Sequence, residues 1–276
     1  STDISKTHRP RNWRRRLRPP AQDASQVMQT IKLLSRRQAA PTLWVLQFER
    51  PEGFDFKPGQ FARLGLADPQ GGEPVIRGYS IASTPEAPVL EFFITEVPGG
   101  RLSSRICALN PGDEVLLDGG AEGALTPSRI PGGKTLWLLA TGSGLSPFAS
   151  ILRSASVWES WRDIVLVESV RRIEEAALAR GLVASLPEGR RPQLIVTTTR
   201  ETDPARAGDL SGRIPALVES GDLERAADRT ITPEDARVML CGNPDFIAAT
   251  RAVLKTRGLV SPRFGKPGQL VVENFW

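Results

Sequence analysis

Between residues 27 and 117 the hydrophobic positions come in short bursts. Runs rich in Val, Ile, Leu and aromatic residues occupy 27–34, 42–48, 60–66, 77–82, 90–97 and 114–117. Turn-forming residues separate them: Pro51, Pro58-Gly59, Gly71-Gly72, Pro85, Pro98-Gly99-Gly100 and Pro111-Gly112-Asp113. Such runs, cut by Gly, Pro and Asp, read as strands joined by turns. Six strands at this spacing predict a small antiparallel barrel. After Arg101, Leu102, Ile106 and Leu109 fall on one helical face. A short helix there is expected to cover one end of the barrel.

Past Pro131-Gly132-Gly133 the texture changes. Residues 135–140 (TLWLLA) are continuously apolar, break at Thr141-Gly142-Ser143-Gly144, and give way to a helical pattern over 147–152. Apolar runs at 164–167, 194–198 and 238–240 then alternate with helical patterns at 173–184 and 245–255. Buried strands alternating with helices predict a parallel, doubly wound sheet. The fold class expected is therefore a two-domain chain, an antiparallel β-barrel followed by an α/β parallel-sheet domain. Residues 1–20 form a basic arm, 21–130 the barrel domain and 131–276 the α/β domain, with the boundary near Ile130.

Composition narrows the chemistry. A chain of 276 residues has room for two ordinary domains. No apolar run approaches the roughly 20 residues that span a bilayer. The two cysteines, Cys107 and Cys241, are too few and too far apart in sequence for a disulfide framework, an iron–sulfur site or a zinc site, and read as reduced thiols in a cytoplasmic setting. The single histidine, His8, lies in the arm, which removes Ser-His-Asp hydrolysis and His-ligated metal chemistry. The net charge of +5 comes from residues 9–18, RPRNWRRRLR, with six Arg and no acid. This stretch reads as a solvated, flexible arm. It also overlaps in character with an organelle presequence, and it lacks the apolar core of a secretory signal.

Six features carry candidate chemistry. Arg77-Gly78-Tyr79-Ser80 offers a cation for a pyrophosphate, a flat ring and a small hydroxyl, although strand alternation sends Arg77 and Tyr79 to one face and Ser80 to the other. Gly99-Gly100-Arg101-Leu102-Ser103-Ser104 is a glycine turn opening the short helix, either to bind an anion or simply with Ser103 as helix cap. Thr141-Gly142-Ser143-Gly144-Leu145-Ser146-Pro147 links a buried strand to a helix, where an open α/β sheet binds dinucleotide phosphates, but its GxGxxP pattern departs from GxGxxG. Arg171, Arg200 and Arg213 fall at or near ends of predicted strands and suit the 2′-phosphate of NADP, whereas Glu168 suits a ribose hydroxyl and NAD. Cys241-Gly242-Asn243-Pro244 allows close backbone approach to a ligand, with Cys241 otherwise a small buried hydrophobe. Phe275 and Trp276 close the chain, to pack on a sheet edge or to stack on a flat ligand.

Together and in this order, these features resemble the ferredoxin/flavodoxin–NADP(+) reductases. LWLLATGSGLSPFASIL, SGRIPALVESG, VMLCGNPDF and the aromatic terminus after KPGQ are similar to the bacterial branch of that family, in particular to members ending in an aromatic–Trp pair. The resemblance runs from about Val27 to Trp276 and leaves the arm outside it. It implies FAD and NADP(H) as cofactors and an acidic ferredoxin or flavodoxin as partner of a monomeric enzyme. It implies that Arg77 binds the FAD pyrophosphate, Tyr79 stacks on the flavin and Ser80 bonds near its reactive nitrogen. The Leu102-Ser103 backbone would support the pyrophosphate, Thr141 would lie against both cofactors, and Gly142 would lie against FAD. Phe275 would cover the second flavin face, moving aside for the nicotinamide, and Trp276 would stack on the FAD adenine. Arg171, Arg200 and Arg213 would hold the 2′-phosphate, with Cys241 and Gly242 by the nicotinamide and Glu273 as an acid beside them. Two other readings share the pattern: a reductase component of an oxygenase or a free-flavin reductase, and a basic module that binds nucleic acid or a partner through the arm. The body lacks the interleaved basic and aromatic residues that base stacking needs.

Overall fold

A computed structural model describes residues 28–274. The first half is a six-stranded antiparallel sheet made of β1 (Met28–Ala40), β2 (Leu43–Glu49), β3 (Phe61–Leu66), β4 (Val75–Ser80), β5 (Val89–Thr95) and β6 (Glu114–Glu122), in the order β4-β3-β6-β1-β2-β5. β1 extends six residues beyond its expected run. Its first part, Met28–Lys32, pairs with β6 and its remainder with β2, with a register shift at the corner. The ends of the sheet meet where Ile81 bridges Phe92 and the Ala82 amide donates to the Glu91 carbonyl, 2.7 Å. Closure of this kind removes exposed strand edges. Alternating residues of every strand, among them Ile31, Leu46, Leu64, Phe92 and Leu117, fill the interior. Helix α1 (Ser103–Cys107) adds Ile106 and Cys107 to that core, as its apolar face predicts. Burial pushes the Cys107 thiol up to about 12, helped by the charge of Glu96 and opposed by Arg36.

The second half is a parallel sheet. Its central strand β7 (Thr135–Thr141) is followed by α2 (Leu145–Arg153), α3 (Ala155–Ser160), β8 (Asp163–Val170), α4 (Ala177–Ser185), β9 (Gln193–Thr198) and the short β10 (Leu210–Ser211). The chain then crosses back through α5 (Ile214–Glu219) and α6 (Asp222–Ala227) to β11 (Ala236–Gly242), α7 (Pro244–Thr256) and β12 (Leu270–Asn274). The order β10-β9-β8-β7-β11-β12 reverses direction between β7 and β11. Even-numbered β7 residues (Leu136, Leu138, Ala140) face α2 and α4, while Trp137 and Leu139 face the side of α5 to α7. That two-sided burial explains the unbroken apolar run. β12 continues the sheet beside β11 with Cys241 opposite Glu273, an element the pattern alone did not separate from a packed tail.

The two halves share a core. Leu145 to Leu152 of α2 are all buried, packed between β7 and the barrel residues Leu43, Val45 and Phe93. Ser146 Oγ donates to the Ser80 carbonyl at 2.7 Å and accepts from the Phe93 amide at 3.2 Å. Arg153 donates to the Ala82 carbonyl at 3.0 Å and pairs with Glu91 at 2.7 Å. Among the described residues, no helix is long and apolar enough to cross a membrane.

Candidate functional site

Two cavities open along the seam between barrel and sheet. The barrel-side cavity, about 610 Å³, is lined by Arg77, Gly78, Tyr79, Ser80, the 100–103 turn and Glu273. Strand alternation would split Arg77 and Tyr79 from Ser80, yet all three line this space. Ser80 is the last residue of β4, where the chain bends into the Ile81 bridge. The Arg77 guanidinium donates to the Ile76 carbonyl at 2.7 Å and makes no ion pair among the described residues. Burial pushes the Tyr79 phenol up, Cys107 adds to the shift, and Arg77 opposes it. Leu102 points into the barrel core, leaving its backbone to the cavity. Ser103 is not the cap of α1. Leu102 occupies that position, and the Ser103 hydroxyl accepts the Val97 amide instead, closing the glycine turn.

The sheet-end cavity, about 620 Å³, lies at the carboxyl ends of β7, β8, β9 and β11, at the point of strand reversal. This is where open α/β sheets bind ligands. Thr141, Gly142, Arg171, Arg200, Arg213 and Gly242 line it, so the arginine trio, spread over 42 positions of sequence, is brought to one space. Arg171 lies 3.9 Å from Glu175, while Arg200 and Arg213 make no ion pair among the described residues. Two glycines allow the tight packing behind the cavity. A Cβ on Gly144 would sit 2.1 Å from the Cys241 carbonyl oxygen, and one on Gly242 would sit 2.2 Å from Thr141 Oγ1. Asn243 caps α7 by accepting the Phe246 amide at 2.8 Å, a position the sequence pattern placed in a turn without a role.

Thr95 and Ser143 line both cavities and so mark their junction. Thr95 was not singled out by residue type, and Ser143 entered only as part of the glycine turn, because the junction exists only once β5 and the 142–144 turn face one another. Nearby, Ser80 Oγ donates to Glu273 Oε2 at 3.4 Å across 193 residues of chain. Burial pushes the Glu273 carboxyl up to about 8, and the Ser80 bond opposes the shift. Cys241 is fully buried, so it forms the wall behind the junction rather than an open thiol. Burial raises its thiol, the Glu273 charge adds to this, and a hydrogen bond with Ser80 opposes it. Ser80, Cys241 and Glu273 are thus brought together. Phe275, Trp276 and the basic arm lie outside the described residues.

Residues 138–252 match the family described as oxidoreductase NAD-binding domain. The ferredoxin–NADP reductase A of Sorangium cellulosum is 37% identical, over 84% of this chain and 84% of its own. The flavodoxin/ferredoxin–NADP reductase of Escherichia coli is 38% identical, over 80% of this chain and 88% of its own. A crystal structure of a ferredoxin NADP+ reductase from Neisseria gonorrhoeae with bound FAD and NADP superimposes with a TM-score of 0.81 at 35% identity, over 90% of this chain and 98% of that one. Likeness of this extent takes in the barrel, the sheet and the seam between them, and the chain belongs to the ferredoxin/flavodoxin–NADP reductase family.

Proposed function

We propose that this protein is an NADPH-dependent flavoenzyme, exchanging a hydride with NADP(H) and single electrons with a ferredoxin or flavodoxin. The carrying observation is the seam: two cavities of ligand size share Thr95 and Ser143 as a common wall. FAD, when bound, supplies what no side chain here provides, taking electrons in pairs and releasing them singly. The residues present fit that group. Arg77 faces the barrel-side cavity without an acidic partner among the described residues, which suits a pyrophosphate, and Tyr79 beside it offers a flat ring. The Leu102-Ser103 backbone borders the same space.

On the other side, Arg200 and Arg213, without an ion pair among the described residues, suit the 2′-phosphate of NADP, with Arg171 as the third cation. Thr141, Gly142 and Gly242 let backbone approach the dinucleotide, with Cys241 as the wall behind. Ser80 holds its hydroxyl proton toward Glu273. Glu273, neutral below about pH 8, keeps negative charge away from the junction. In this reading Phe275 and Trp276 cover the flavin and its adenine. The division near Ile130 separates an FAD domain from an NADP domain, and the enzyme works as a monomer in the cytoplasm.

The test is direct. Purified protein should be yellow and should bleach with NADPH. Protein that is colourless and refuses added FAD would overturn the reading. Arg200→Ala removes a charge-assisted contact of about 1.5–3 kcal/mol. It should weaken NADPH by roughly tenfold or more while leaving NADH nearly unaffected, and equal losses for both would remove Arg200 from the 2′-phosphate site.

A further inference from the structure

Glu168 stands in an unusual place. It is 3% exposed, on β8, and it lines the sheet-end cavity. Register across the parallel sheet runs Glu273, Cys241, Ala140, Glu168, Val196, so all five side chains share one face. The small Ala140 is the only residue between Cys241 and Glu168 in that row. The Gly142 amide hydrogen-bonds to the Glu168 carboxyl. The second oxygen, Oε2, is buried without a partner. Burial pushes the Glu168 carboxyl well above the ordinary carboxylate range, the Gly142 bond opposes this, and the charge of Glu175 adds to it.

We infer that Glu168 is a positioning residue of the dinucleotide cavity that works as a neutral acid. It anchors the Gly142 turn, and its ionisation opposes binding of the anionic ligand. The surroundings decide the sign. Glu175, at the start of the segment after β8, adds like charge, and Asp245 on α7 faces the same cavity. Cys241 from β11 and Glu273 from β12 share the row. Arg171, Arg200 and Arg213 line the cavity, and among the described residues none of them pairs with Glu168. Ionisation therefore places a buried negative charge beside the anionic ligand.

The inference rests on the proposed NADP(H) site, so the experiment has one arm with nucleotide and one without. Dissociation constants of NADP+ are measured by calorimetry from about pH 6 to about pH 10 for the holoenzyme and for Glu168→Gln, which keeps the shape and the acceptor for Gly142 but cannot ionise. The ratio of the wild-type constant to the Gln constant should climb with pH, by up to roughly tenfold per unit once Glu168 ionises. Melting temperatures over the same range should show Gln gaining on wild type as pH rises, with or without nucleotide. A flat ratio overturns the claim about binding, and melting curves that stay parallel overturn the neutral acid itself. If wild type binds no NADP+ at any pH while the melting difference appears, the site assignment fails and the buried neutral acid stands.

Discussion

Glu273 carries a stability cost that depends on pH. Its carboxyl ionises near 4.5 in the ordinary case and near about 8 in the folded protein. Between these values the unfolded chain gives up its proton first, so stability falls as pH rises and levels off above about 8. Glu273→Gln removes that loss. Its melting temperature should exceed that of wild type by little at about pH 5 and by most at about pH 9. A constant difference would mean that the carboxyl does not titrate late. At this scale much was legible from the sequence: Arg77, Tyr79 and Ser80 drew notice by type, and all line one cavity. Thr95 did not, because a lone threonine in a strand carries no signal until a second cavity meets it. The cap role that the sequence left open for Ser103 does not hold, since only the fold brings the Val97 amide within reach of its hydroxyl.

Among the elements, the turn from β7 into α2 is set by close packing rather than by the glycine pattern of the usual dinucleotide fingerprint. Gly144 touches the backbone of β11, which cannot move aside like a flexible side chain. Gly144→Ala should therefore destabilise the fold by about 1–3 kcal/mol. The loss should appear in denaturant melts, together with weaker NADP+ binding; an unchanged midpoint would show that β7 and β11 separate easily. The long runs were legible because the burial of β7 and β11 on both faces leaves a continuous apolar signature. Three short helices were not. α3, α5 and α6 have six residues each, too few for a helical period to show. β12 looked like a tail because its strand character depends on β11 lying beside it.

In the molecule as a whole, α2 joins the halves. Arg153 reaches from its end to Glu91 and Ala82 of the barrel, while Gln47 donates to the other Glu91 oxygen at 2.8 Å. Arg153→Met leaves Glu91 mostly buried with one partner fewer, at a cost of about 1–3 kcal/mol. Bound flavin should remain near wild-type content while the rate of its reduction by NADPH falls. Flavin loss in proportion to rate would place the defect inside the barrel. No sequence pattern foretold this latch, whose partners lie 62 residues apart. The pairing of Ser80 with Glu273 has a consequence for biosynthesis. The barrel strands precede the sheet strands in the chain, and the barrel has an interior of its own. Its seam nevertheless stays unfinished until β12 has been made and has docked beside β11. A nascent chain halted before β12 would have Ser80 in place but not the carboxyl it meets, so the barrel-side cavity would lack its Glu273 wall.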